Sequence, residues 1–144
     1  MKMDEFIKLL DKNLNYTSHE ILGDTIFINI VSNRQQVFCP YCGKSSVKTH
    51  SYYERRFQDM PMHGKKVQYV LHNRKMFCSN TECSYATFAE RFDFLPSNWK
   101  ITQRLKDEIV NISTNVSSLT ASSLLRHHIA NVGKSTICNF LKKK

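Results

Sequence analysis

The 144-residue chain has no acidic side chain after Glu108, while basic residues continue to Lys144. Net charge is +9, distributed as −1 over residues 1–38, +4 over 39–99 and +6 over 100–144. With no carboxylate to neutralise it, the basic end has the electrostatic footprint of a protein that meets a polyanion, most often nucleic acid. The competing reading is a solvated basic surface kept for solubility. Long apolar runs are also missing, which excludes a membrane-spanning helix. The start Met1-Lys2-Met3-Asp4-Glu5 carries acids where a secretory signal would be basic. A reducing cytoplasm is therefore expected. The length leaves room for one ordinary domain or two small ones, too little for a large multi-lobed enzyme.

Cysteine is scarce but clustered. Four of the five fall in two pairs, Cys39-Pro40-Tyr41-Cys42-Gly43 and Cys78-Ser79-Asn80-Thr81-Glu82-Cys83. A C-x2-4-C loop lets two thiolates converge on one zinc ion at about 2.3 Å, so each pair supplies half of a tetrahedral shell. Pro40 stiffens the first loop, and Gly43 can take the positive φ that bends the backbone around a metal. Disulfides are the alternative, but such frameworks belong mainly to short secreted chains. Cys39, Cys42, Cys78 and Cys83 thus read as ligands of one structural Zn2+, because four thiolates leave no open position for a catalytic water. His50, His63 and His72 could each substitute for a thiolate, yet the four cysteines leave no vacancy. Cys138 falls on the apolar side of a helix and reads as a small core residue.

Taken in order, the chain opens with a short helix capped by Asp4, its apolar residues Phe6, Leu9, Leu10 and Leu14 at helical spacing. Thr25-Ile26-Phe27-Ile28-Asn29-Ile30-Val31 reads as a buried strand. Between the cysteine pairs a hairpin is expected. Tyr53, Arg55 and Phe57 alternate with Tyr52, Glu54 and Arg56, the return strand carries Val67, Tyr69 and Leu71, and Pro61 and Gly64 mark the turn. Pairing of these strands would bring the second cysteine loop over the first. Tyr85 to Glu90 could add an edge strand. A sheet this small is expected to lack a sufficient core and to depend on zinc, which contributes on the order of 10 kcal/mol to such folds.

Leu95-Pro96-Ser97-Asn98-Trp99 marks a junction, with Trp99 as its anchor, after which helical periodicity begins. Thr102 is the expected N-cap of a helix carrying Leu105, Ile109 and Ile112, interrupted by the polar run Asn111 to Ser118. Ser118 or Thr120 caps a second helix with Ala121, Leu124, Leu125 and Ile129 inside. Ala130-Asn131-Val132-Gly133 makes a tight connection, and Ser135 to Lys143 forms a third helix with Ile137, Phe140 and Leu141 in one stripe. This pattern suits a helix-turn-helix whose last helix enters the major groove. Lys134, Ser135, Thr136, Asn139, Lys142 and Lys143 are its candidate DNA contacts, Asn139 and Thr136 to base edges and the lysines to phosphates. Arg126 beside His127-His128 could approach phosphate. Arg55, Arg56, Lys65, Lys66, Arg74 and Lys75 make a second basic face on the hairpin, although exposed strands also carry charge to prevent edge pairing.

In ordered set, Cys39-Pro40-Tyr41-Cys42-Gly43, His50-Ser51-Tyr52-Tyr53-Glu54-Arg55, Asp59-Met60-Pro61 with Gly64, Arg74-Lys75-Met76-Phe77-Cys78-Ser79-Asn80 with Cys83, and Phe88-Ala89-Glu90-Arg91 resemble the N-terminal half of a bacterial insertion-sequence transposase of the ISL-three family. The likeness covers roughly residues 20–95 and is looser around Ser135-Thr136. It departs at Met60, where the family usually has leucine, and at Asn73-Arg74-Lys75-Met76, which is less arginine-rich than typical. The resemblance implies that the four cysteines bind zinc and that this half recognises the element's terminal inverted repeats. It also implies a downstream acidic-triad, RNase-H-like domain that cuts and joins DNA. That domain is expected to be absent here, since it needs three carboxylates for two metal ions and no acid follows Glu108.

The expected fold class is α+β: a small antiparallel four-cysteine zinc ribbon within residues 1–95, followed by an all-α helix-turn-helix module over 96–144. The expected function is non-enzymatic, sequence-specific binding of double-stranded DNA in the bacterial cytoplasm, at the nucleoid when bound. Two alternatives stand beside it: a fragment of an active DNA-cutting-and-joining transposase, and a zinc ribbon that binds RNA or protein. Whether the protein forms a homodimer is left open by the residues.

Overall fold

The computed structural model describes residues 3–114, 116 and 118–142. In chain order the elements are α1 (Met3–Lys8), β1 (Leu14–Leu22), β2 (Thr25–Ser32), β3 (Val37–Phe38), β4 (Ser45–Ser46), β5 (Thr49–Met62), β6 (Lys65–Phe77), β7 (Thr87–Ala89), α2 (Gln103–Ser113), α3 (Ser118–His128) and α4 (Lys134–Lys142). Five strands form one sheet in the order β1-β2-β6-β5, with β7 added to the far end of β6. Strands β3 and β4 form a separate two-stranded piece. The fold is α+β, as expected, but the large sheet is neither small nor purely antiparallel.

Strand β2 runs parallel to β6, setting Ile26 beside Val67, Ile28 beside Tyr69 and Ile30 beside Leu71. Period-two alternation fixes which face each strand buries and leaves the direction of its partner undetermined. Together with Ile7, Leu14, Phe57, Phe92 and Leu95, these six residues form a core that contains no cysteine. The expectation that the sheet would lack a core of its own is therefore corrected.

The N-terminal reading also needs correction. Helix α1 stops at Lys8, Leu14 is fully buried as the first residue of β1, and Ile7 takes the inner position while Leu9 is 67% exposed. The Asp4 carboxylate accepts from the Tyr16 amide at 3.0 Å and so ties α1 to β1. Strand β1 escapes pattern reading because most of its residues are exposed. It forms because a two-residue turn at Gly23-Asp24, with Gly23 at φ 61°, folds it back along β2.

The expected hairpin is present and longer than its alternation suggested. Its turn is His63-Gly64, with φ of 50° and 74°. Pro61 lies inside β5, where the ladder shifts between Asp59 and Met62, so the proline's missing N–H breaks no regular pairing.

Helices α2, α3 and α4 share a second core of Ile101, Leu105, Ile109, Ala121, Leu125, Ala130, Val132 and Ile137. Thr102 is the N-cap of α2, its Oγ1 accepting from the Leu105 amide at 3.3 Å. Leu124, expected inside, is 47% exposed. The buried arc of α3 instead runs through Ala121, Ser122 and Leu125, with Ser122 Oγ donating to the Val132 carbonyl at 2.8 Å. Thr120 lies within α3 and does not cap it, while Ser118 is its first residue. Lys143 falls outside the described residues.

Backbone and side-chain bonds join the two cores. The Gln58 amide donates to the Lys100 carbonyl at 2.9 Å, and the Thr102 amide to the Gln58 carbonyl at 3.0 Å. The Gln58 side chain pairs with the Asn131 backbone in both directions, at 3.1 and 2.8 Å. Trp99 stacks on Phe140 with centroids 6.3 Å apart, matching its expected role as a junction anchor. Among the described residues no helix is long and apolar enough to cross a membrane.

Candidate metal centre

The first cysteine loop hangs from the β3–β4 pair, which sets Val37 beside Ser46 and Phe38 beside Ser45. The Cys39 amide donates to the Lys44 carbonyl at 2.9 Å and the Gly43 amide to the Cys39 carbonyl at 2.8 Å. Gly43 has φ of 80°, the left-handed conformation that its sequence position allowed for. The second loop connects β6 to β7. The Cys78 amide donates to the Ala86 carbonyl at 2.9 Å, and the Asn80 carbonyl accepts from the Cys83 amide at 3.1 Å. Ser79 Oγ donates to the Ser45 carbonyl at 2.7 Å, fastening one loop to the other.

This framework brings together thiols separated by 35 intervening residues. Cys42 Sγ lies 3.6 Å from Cys78 Sγ, Cys39 Sγ lies 4.0 Å from Cys83 Sγ, and all four sulfurs fall within 4.8 Å of one another. A zinc ion with Zn–S bonds of about 2.3 Å requires tetrahedral edges of about 3.8 Å, so the donor set fits. None of the four is in a disulfide. Among the described residues this is the one group of three or more thiol, imidazole or carboxylate side chains close enough to hold a metal; His50, His63 and His72 stand outside it. The ligands are graded in exposure, from buried Cys39 to exposed Cys42. Val37, Met76 and Phe88 pack beneath them as a third apolar cluster.

The electrostatics favour a cation. Hydrogen bonding from the Lys44 backbone, more than any other influence, lowers the Cys42 thiol to about 7. The Asn80 backbone likewise favours the Cys78 thiolate, but desolvation and the sulfurs of Cys42, Cys39 and Cys83 outweigh it and push that thiol up to about 12. Thiolates crowded this closely resist joint ionisation, and a divalent ion removes that resistance. All four positions are taken by sulfur, which makes the site structural.

Residues 35–83 match the family described as the zinc-finger of transposase IS204/IS1001/IS1096/IS1165. This segment is therefore similar to a transposase zinc ribbon of the ISL-three type. The match covers about a third of the chain. No curated protein and no solved structure matches the chain.

Around the ribbon, the structure distributes the sequence-selected basic residues unevenly. Arg55 is half-buried, its Nη2 donating to the carbonyls of Pro96 at 3.3 Å and Trp99 at 3.2 Å, and burial pushes its guanidinium pKa down. Arg74 donates to both Glu90 oxygens, at 2.9 and 3.2 Å, and to Ser32 Oγ and the Arg34 carbonyl. Both arginines are thus bound into the fold. Arg56 is exposed beside Glu54 at 3.5 Å, across the sheet from Arg55, and Lys75 is exposed at the ribbon end of β6. Lys65 and Lys66 reach the Gly23 carbonyl and Asn131 Oδ1, at 3.1 and 2.9 Å. On α4, Lys134, Ser135, Asn139 and Lys142 are exposed and Thr136 is half-buried. Arg126 donates through Nε to the Val132 carbonyl at 3.2 Å, and its side chain is otherwise exposed.

Two buried carboxylates lie within the family resemblance without any structural role being read from the sequence. Glu90, with its side chain fully shielded, holds Arg34 at 3.2 Å and Arg74 at 2.9 Å, binding the end of β2 to β6. Asp59, 1% exposed, accepts from Thr102 Oγ1 at 2.8 Å and from Arg104 Nε at 2.7 Å, with a second contact to Arg104 Nη2. Their partners lie 16 to 56 residues away, beyond the reach of any local pattern.

Proposed function

We propose that the chain is the zinc-stabilised, double-stranded-DNA-binding part of an insertion-sequence transposase, in which α3 and α4 act as a helix-turn-helix and α4 reads the major groove. The observation that carries this reading is the four-thiol cluster inside a segment of transposase zinc-ribbon type. Three further features support it. The net charge of residues 100–144 is +6. A short Gly133-containing connection separates α3 from α4, with the Val132 carbonyl held by Ser122 and Arg126. The outer side of α4 carries Ser135, Asn139 and Lys142, short polar groups for base edges and a cation for phosphate.

The chain acts by binding rather than catalysis. Its two buried carboxylates, Asp59 and Glu90, are each engaged by arginine, which suits them to hold the fold and removes them from metal-assisted cleavage. Cutting and joining of DNA would belong to an acidic-triad domain of a longer transposase. Terminal inverted repeats are the proposed target, and the cytoplasmic nucleoid the place of action.

The test is competition binding by the zinc-loaded protein, using duplexes selected from a random pool, unselected duplex, single strands and RNA at several salt concentrations. A steep loss of duplex affinity with salt and a preference for selected duplex are expected. Asn139→Ala should cost about 1–3 kcal/mol against selected duplex while leaving unselected duplex nearly unchanged. Equal affinity for all four polymers would refute the reading.

A further inference from the structure

Two clefts outside the metal centre share one residue. The first, about 430 Å³, lies between α4 and the segment leading into α2, and its wall includes Thr136, Asn139, Lys100 and Lys106. The second, about 400 Å³, lies beside the zinc ribbon and is bounded by Tyr41, Tyr53 and Arg91. Asn98 lines both. It stands at φ of 69° in a turn closed by the Trp99 amide donating to the Pro96 carbonyl at 3.1 Å. Arg55 fastens that turn from below through the carbonyls of Pro96 and Trp99. The bridge between the clefts is therefore fixed by hydrogen bonds to the sheet.

We infer that the zinc ribbon and α4 grip a single DNA duplex along one continuous track that crosses Asn98, with Arg91, Lys100 and Lys106 as its phosphate contacts. This rests on the DNA-binding reading above and adds to it a geometry and three phosphate contacts that were not among the DNA-binding candidates read from the sequence. The electrostatics of the two walls point the same way. No acidic residue lines the first cleft. In the second the one acid is Glu90, whose side chain is fully shielded and neutralised by Arg34 and Arg74. Arg91 and Lys100 are exposed, and Lys106 is held with Nζ 4.7 Å from the Trp99 ring centre. A polyanion lying along this track meets cations at both ends and no free carboxylate between them.

The Tyr41 ring favours duplex over unpaired strand. Single-strand sites offer free ring faces on which bases stack. Here the Tyr41 ring is already stacked on Tyr85, with centroids 3.8 Å apart, and carries the Arg91 guanidinium at 5.4 Å. Arg91 also donates to the Tyr41 hydroxyl at 3.3 Å. The tyrosines position a guanidinium for a backbone phosphate, and the ribbon makes contact without reading bases.

The experiment uses the full zinc-loaded chain with selected duplex. Salt-dependent affinity is measured for wild type, Arg91→Ala, Lys100→Ala, the double variant and Lys12→Ala, a comparator on the α1 side. Each single variant is expected to reduce the log–log salt slope by about 0.9 and the double by about 1.8, with Lys12→Ala unchanged. Arg91→Lys should restore the slope, which separates lost charge from lost folding. Footprinting should show Arg91→Ala losing protection at one end of the site while the α4 end stays protected. Steep duplex binding by wild type with an unaltered slope and footprint in Arg91→Ala and Lys100→Ala would overturn the shared track and leave the DNA reading standing. Absence of duplex binding by wild type would remove both, and an effect of these variants confined to single strands or RNA would overturn the inference.

Discussion

Cys42 and Cys78 differ in how readily each gives up its proton: backbone hydrogen bonding favours both thiolates, and at Cys78 desolvation and the neighbouring sulfurs outweigh it. Cys42, lowered to about 7 chiefly by hydrogen bonding from the Lys44 backbone, ionises before Cys78. A depressed thiol pKa favours the deprotonated fold at high pH, and that advantage disappears as pH falls through about 7. Cys78, raised to about 12, acts in the opposite sense and favours the protonated form until pH approaches that value. Zinc binds the deprotonated set and releases the protons, so metal affinity must fall with pH. A zinc-competition titration is expected to show more than a tenfold loss of affinity per pH unit below about 7, because more than one thiol is reprotonated per ion released. A flat profile between about pH 8 and 6 would contradict thiolate ligation by this cluster. The ligands themselves were legible from spacing alone. The unequal acidity of Cys42 and Cys78 was not, because it depends on amides and sulfurs that only the folded loops bring near.

At the scale of elements, the join between β5 and α2 rests on Asp59. Thr102 caps α2 through the Leu105 amide and at the same time donates to Asp59, so one strand residue sets where the helix begins. The carboxylate is 1% exposed, whereas the Arg104 side chain is 42% exposed, so the ion-pair part is screened and the hydrogen bonds carry most of the effect. Asp59→Ala should lower stability by about 2 kcal/mol, read as a drop in the urea midpoint at unchanged slope. An unaltered midpoint would show that the join does not depend on this residue. Thr102 announced itself as an N-cap because capping is a local rule. Asp59 stood 43 residues away, beyond the reach of any local rule.

At the scale of the whole molecule, the buried apolar side chains among the described residues form three clusters. The sheet core contains no cysteine, the helical core lies around Leu105 and Ile137, and only Val37, Met76 and Phe88 pack with the thiol loops. Zinc therefore organises the ribbon and not the entire fold. Chelation is expected to release the amides of Cys39, Gly43, Cys78 and Cys83 to rapid hydrogen exchange while those of Ile28 and Tyr69 stay protected. Simultaneous loss of protection at Ile28 and Tyr69 would instead show that the metal supports the sheet as well.

The amino-acid sequence alone determined the zinc ligands, a glycine free to take positive φ at Gly43, the Thr102 cap, the alternation of β5 and β6, and the inner stripe of α4. Each depends on residues a few positions apart, where spacing dictates geometry. Tertiary structure alone decided that β2 runs parallel to β6, that β1 exists, that Arg55 and Arg74 bind into the fold, and that Asn98 joins the ribbon cleft to the α4 cleft. The physical reason is that periodicity specifies which way a side chain points, whereas its partner is chosen by packing among segments that the chain itself holds far apart.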